Sequence, residues 1–166
     1  MNPLIVYKST KIKNFLVIQP GAHTDFRGNN FEAYNKETYN KFFQREVDFK
    51  VDSYARSTNN VLRGLHGDNV NWKLIEVLHG TVFFAAIDVN TKGREEIVLS
   101  ANNRLQVFLP PGCVNGHYVM SEDALFHYRL SHGFTSQESQ LSLKWNDPSL
   151  GILWPTQTPT LSKRDE

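Results

Sequence analysis

Apolar and polar residues along this chain fall into short blocks, parted by glycine, proline and asparagine. Residues 81–89 read TVFFAAIDV between Gly80 and Asn90-Thr91-Lys92-Gly93, a β-rich apolar run closed at both ends by turn formers. Residues 73–78 (KLIEVL) precede His79-Gly80. Residues 96–100 (EIVLS) and 104–109 (RLQVFL) follow, and Pro110-Pro111-Gly112 then forces a turn. Residues 116–120, 124–130 and 140–145 are further strand candidates, and the segment 4–18 is β-rich. One stretch, residues 36–45, predicts a helix, with Thr38, Tyr39, Phe42 and Phe43 loosely at helical spacing. Many short strands separated by turns predict a mainly β chain, a sandwich or barrel. The order of the strands is not contained in the periodicity.

Composition narrows this picture. The 166 residues fit a single domain, 1–166, with a core of its own. With 40% hydrophobic and 12% aromatic residues the chain is not of the disordered kind. Lys plus Arg number 18 against 17 Asp plus Glu, a net +1, so no general field attracts nucleic acid or a membrane surface. An anionic ligand must be caught by a few placed cations. The single cysteine, Cys113, has no intrachain partner, which fits a reducing compartment. The first eight residues turn polar too soon for a signal peptide, and no apolar run approaches the ~20 residues of a membrane span. The expectation is a soluble cytoplasmic protein.

Three stretches carry candidate chemistry. The first is Asp25-Phe26-Arg27-Gly28 with Glu32; the second is Leu62-Arg63-Gly64-Leu65-His66 with Lys73. The third holds Tyr128 in FHYRLSHGF, then WNDP at 145–148, Trp154-Pro155 and LSKRD ending at Asp165. Two Arg-Gly pairs can clamp a diphosphate bidentately, although two turns with solvated arginines have the same spelling. His66 has the residue type of a general base. Strand alternation sets it on the opposite pleat face from Arg63 unless a bulge intervenes. Lys73 and Tyr128 have the types of an oxyanion stabiliser and a proton donor, or of a solvated lysine and a barrel-lining tyrosine. A metal is not expected: barrels that bind one place His-x-His on a strand, and here the spelling is His66-Gly67-Asp68.

Taken together and in order, these stretches resemble the dTDP-4-dehydrorhamnose 3,5-epimerase family, from about residue 15 to the C-terminus. The combination of LRGLH, WNDP and WP carries the resemblance, with Ser57, Lys73, Pro111-Gly112, Gly116 and Tyr128 in their places. It implies a cupin-type jelly-roll barrel, a homodimer, and epimerisation beside a ketone without a cofactor. It implies His66 as base oriented by Asp165, Lys73 near the enolate oxygen and Tyr128 as acid on the opposite face. Arg27, Glu32, Arg63, Asn115, His117 and Lys144 are the residues expected to bind a nucleotide-diphosphate sugar.

The binding shell departs from the family's pattern. Val51 and Ser53 stand where Gln and Asn usually address thymine. Asn115-Gly116-His117 stands for His-Gly-Phe, Asn29-Asn30 for an aromatic pair, and Gly133-Phe134 for a tyrosine pair. These changes predict the same chemistry on another sugar nucleotide, a GDP-linked 4-keto-heptose of bacterial capsule synthesis. The alternatives are a 3,4-ketoisomerase, whose usual R-G-x-H-A-H is not spelled here, and a sugar-nucleotide-binding barrel without catalysis.

Overall fold

A computed structural model describes residues 3–134 and 136–166; the first two residues of the expected polar N-terminus lie outside it. Among the described residues the strands are β1 (Ile5–Lys8), β2 (Leu16–Gln19), β3 (Ala22–Asp25), β4 (Gly28–Phe31), β5 (Val51–Thr58), β6 (Leu62–Gly67), β7 (Lys73–His79), β8 (Thr81–Asp88), β9 (Arg94–Ser100), β10 (Gln106–Leu109), β11 (Cys113–Val119), β12 (Asp123–Leu130) and β13 (Leu141–Ser142). The single α-helix, α1 (Lys36–Phe43), lies in the stretch that predicts one. Asn35 caps its first turn through the Thr38 amide, and Gln44 closes it in the left-handed region.

All ladders within the sheets are antiparallel. One sheet runs β1-β2-β10-β7-β12-β5 and the other β13-β6-β11-β8-β9, while β3 and β4 form a separate hairpin. This is the expected jelly-roll sandwich. The expected strand at residues 140–145 contracts to Leu141–Ser142, which pair with Gly67 and His66; Leu143 still exchanges backbone hydrogen bonds with Leu65 before the chain turns away.

Period-two patterning builds three apolar layers rather than one. Ile75, Val77, Val82, Phe84, Val107, Leu109 and Phe126 meet between the two sheets. Leu74 and Phe108, the outward neighbours on β7 and β10, lie under Tyr39 and Phe43 of α1. Phe43 stacks on Phe108 at 3.7 Å. On the other sheet, Leu62, Leu65, Ala85, Ile87 and Val114 face outward and are roofed by Trp145 and Trp154 from the C-terminal segment. Strands covered on both faces read as continuous apolar runs, which is why β8 shows no alternation in the sequence. None of the described helices is long and apolar enough to cross a membrane.

Candidate active site

At one end of the inter-sheet space, β6, β7, β11 and β12 point polar side chains inward. Arg63, His66, Asp68, Lys73, Asn115 and Tyr128 line a cavity of about 250 Å³, together with Ser53, Asn71, Gly133, Phe134 and Arg164. The strand register explains how Arg63 and His66 come to share it. Asn115 pairs with His66 and His117 with Arg63, so Gly64 and Leu65 together oppose Gly116. That bulge shifts the pleat by one residue. Gly64 takes φ 130°, and a Cβ there would lie 2.5 Å from the Gly116 Cα, so only glycine fits.

His66 is held at both ring nitrogens. Its Nε2 lies 2.6 Å from Asp165 Oδ1 and its Nδ1 3.0 Å from Ser142 Oγ. An ionised carboxylate only accepts, so Nε2 carries the proton and Nδ1 is the basic nitrogen of the neutral ring. Burial lowers the His66 pKa, against the opposing pull of Asp165; the charges of Arg164 and Lys73 lower it further. The imidazole is therefore neutral, and able to accept a proton, near pH 7.

Asp165 reaches His66 along a strap formed by the C-terminal segment. Leu143 exchanges backbone hydrogen bonds with Leu65, the Leu62 amide donates to Thr160 O, and the Thr160 amide donates to Asn60 O. Trp154 Nε1 donates to Trp145 O at 2.8 Å, and Ser162 Oγ donates to Asp165 Oδ2 at 3.0 Å. The WNDP and WP stretches thus fasten the strap; of LSKRD, Arg164 lines the cavity and Asp165 orients the imidazole.

Lys73 is buried, and its Nζ donates to Asn115 Oδ1 at 3.0 Å. Burial lowers its pKa, with Asp68 as the largest opposing influence. Tyr128 is on the neighbouring strand β12, and burial raises its phenol to about 12, so it keeps its proton at working pH. Arg63 is fixed by a 2.9 Å bond from Nε to Ser57 Oγ. The cavity thus offers a basic nitrogen, a buried lysine amine and a protonated phenol. That set can remove a proton, hold negative charge on an oxygen and return a proton.

Of the expected binding residues, Arg63 and Asn115 line this cavity. Four others do not. Arg27 is exposed on the β3–β4 hairpin and pairs with Asp25, and Glu32 is exposed just beyond β4. That hairpin packs by Arg104, whose Nη1 donates to Asn29 Oδ1; β10 leads from there to Leu109, the partner of Lys73. His117 faces inward but is buried flat against Phe126, with ring centroids 3.9 Å apart, and fills space rather than facing the cavity. Lys144 is exposed on the strap. Sequence reasoning missed Asp68, Asn71, Arg164 and Ser142 as site residues. Asp68 stands at the i+2 position from His66, so strand alternation alone puts the two side chains on one face. Among the described residues no three His, Cys, Asp or Glu side chains gather as a metal site.

Comparison with known proteins identifies the family. The family model described as dTDP-4-dehydrorhamnose 3,5-epimerase matches residues 9–166. The Salmonella typhimurium enzyme of that name is 37% identical over 171 residues, covering 98% of this chain and 92% of the relative. A solved structure of a dTDP-6-deoxy-D-glucose-3,5-epimerase from Legionella pneumophila, in complex with dTDP-4-keto-L-rhamnose, superposes with a TM-score of 0.88. It is 30% identical and covers 98% of this chain and 89% of that one. A dTDP-4-dehydrorhamnose 3,5-epimerase from Elizabethkingia anophelis gives 0.89 at 32% identity, covering 98% and 93%. These names carry dTDP, and they lend no support to the expected GDP-heptose or to a role in capsule synthesis. The chain belongs to the dTDP-4-dehydrorhamnose 3,5-epimerase family, and is an isomerase of nucleotide-linked sugars.

Proposed function

We propose that this protein inverts C3, and C5 after it, of a dTDP-linked 4-keto-6-deoxy sugar. The observation that supports this most is the convergence of the His66–Asp165 pair, Lys73 and Tyr128 on one cavity. A C4 ketone acidifies the protons on C3 and C5. His66 Nδ1 takes such a proton once the Ser142 hydroxyl rotates away, and Asp165 stabilises the imidazolium that results. The electron pair moves into an enolate whose O4 is held by the Lys73 ammonium. Tyr128 then delivers a proton to the opposite face. Acid and base each contribute on the order of 10²–10⁴ in rate.

Arg63 is the cavity's candidate clamp for the diphosphate. We further propose a homodimer, in which Arg27 and Glu32 on the exposed hairpin serve the cavity of a second copy. Phe26 at the hairpin tip is 97% exposed, which suits a segment that a partner covers. A second reading of the nucleotide rests on Val51 and Ser53, which replace the Gln and Asn of the family's pattern; Ser53 lines the cavity. That change favours a GDP-linked sugar.

The test is NMR in D₂O with dTDP-4-keto-6-deoxyglucose and with GDP-linked 4-keto sugars, counting deuterons at C3 and C5. Deuterium should enter the dTDP sugar at both positions, and His66→Asn should abolish entry. Turnover of a GDP sugar well above the dTDP sugar would select the second reading. No exchange into any 4-keto sugar would defeat the proposal.

A further inference from the structure

Asp68 and Lys73 are opposite charges buried in one cavity, 6% and 8% exposed, and each is in contact only with neutral groups. Asp68 Oδ1 accepts from the Val70 and Asn71 amides at 2.9 and 2.6 Å, and Oδ2 accepts from Asn71 Nδ2 at 3.0 Å. The Lys73 ammonium donates to the neutral Asn115 amide. Neither charge is cancelled by contact, and charges left uncancelled in a buried cavity act on each other more than they would in water. The other titratable and charged groups around Lys73 are His66 and Arg63 from β6, Cys113 from β11, Tyr128 from β12 and Arg164 from the strap. Arg63 and Arg164 are cations; Tyr128 and Cys113 are neutral at working pH, their pKa values each raised by burial to about 12. Asp165, the other buried carboxylate nearby, is taken up by the His66 ring; Asp68 is therefore the cavity-lining anion on which the charge of Lys73 depends.

We infer that Asp68 is a positioning residue for Lys73, a fixed countercharge that keeps the lysine a cation while negative charge comes and goes on the substrate oxygen. The inference rests on the epimerase reading for its consequence, since only a cationic Lys73 holds the enolate. Its geometry is independent of that reading. Asn71 fixes the carboxylate's location: its Nδ2 also donates to Gly133 O at 2.8 Å, and its Oδ1 accepts from the His132 and Gly133 amides. This ties the Asp68 loop to the loop that holds His132 and Gly133.

Asp68→Asn removes the charge and keeps an oxygen for the two amides. Asn71→Ala removes the side-chain tie and keeps the charge. The experiment titrates lysine side chains by NMR in protein carrying ¹³C-labelled lysine, with the Lys73 signal assigned through Lys73→Met. The alkaline limb of kcat is measured in parallel. In Asp68→Asn the Lys73 titration and the limb should both move down by about one pH unit or more. One unit corresponds to about a tenfold loss of rate at a pH on the new limb. KM should change less than kcat. In Asn71→Ala the titration should stay where it is in the wild type. If Asp68→Asn fails to fold, Asp68→Ser, whose hydroxyl still accepts from the amides, carries the same test. A Lys73 titration unmoved by loss of Asp68, or moved equally by Asn71→Ala, would overturn the inference. Absence of deuterium exchange in the wild type would defeat the epimerase reading instead, and the NMR titration would still decide Asp68.

Discussion

His117 packs as a phenylalanine would. Its ring lies 8° from parallel with Phe126, it is 1% exposed, and its Nδ1 has no partner among the described residues. Burial, with a smaller push from Arg63, holds its pKa at about 3. In the unfolded chain it takes a proton near the ordinary histidine value of 6.5. Between those values the unfolded state binds more protons, so the contribution of His117 to stability is complete above 6.5 and is lost as pH falls toward 3. His117→Phe should stabilise the fold by about 1–3 kcal/mol, the usual cost of an unpaired buried polar group. It should also flatten the decline below pH 6.5. Denaturant unfolding at pH 7 and pH 5 checks both. Tyr128 gives a second prediction. In Tyr128→Phe, His66 can still remove a proton and return a deuteron to the same face. Deuterium entry at C3 should therefore persist while inversion falls by about 10²-fold or more; equal loss of both would remove Tyr128 from the acid role. The residues proposed as base, cation and acid were legible in the sequence through the resemblance. What His117 faces was not, because no spacing tells whether an inward position meets a cavity or Phe126.

At the scale of elements, most strands were legible because turn formers bracket them. The helix was legible from its aromatic spacing, and Asn35 supplies its cap. The bulge in β6 was legible only as the condition for Arg63 and His66 to share a face; its place becomes visible when Gly64 is set against Gly116 across the ladder. The strap was not legible, since its hydrogen bonds join residues about a hundred positions apart, Asn60 to Thr158 and His66 to Asp165. Trp154 anchors it, buried against β8 with Phe83 beside it. Trp154→Ala should cost about 3–5 kcal/mol of stability. It should also reduce kcat more than it raises KM, because a loosened strap releases Asp165 from His66 while the cavity walls stay. Thermal unfolding and steady-state kinetics check the two halves; kcat unchanged below the melting range would mean that the strap does not control the base.

For the whole molecule, the same two strands serve two sides. β7 turns Lys73 toward the cavity and Glu76 outward; β12 turns Tyr128 inward and His127 outward. Outside, His127 bridges Glu76 and Asp52, and Arg129 donates to Asp52 at 2.9 Å. The site's walls are thereby pinned from behind by an ionic layer on the opposite face of the same strands. Assembly adds a further prediction. Light scattering at micromolar concentration should give the mass of a dimer, and Arg27→Ala should raise KM with little change in kcat. A monomeric mass, or an unchanged KM, would separate the hairpin from the site.

The bulge at Gly64 can also be read as a change of parity. Along β6 the odd-numbered Arg63 faces the cavity; beyond the extra residue the even-numbered His66 and Asp68 do. Deleting Gly64 would leave Leu65 and His66 on their present sides, because the residue removed is the extra one. Replacing it is the sharper change. A Cβ at Gly64 collides with Gly116 and opposes its positive φ, and a strand of the same length made regular would turn Leu65 into the cavity and His66 toward the strap. Which letters of a strand a ligand reads is thus set by where the count of two is interrupted, and one glycine holds that interruption in place.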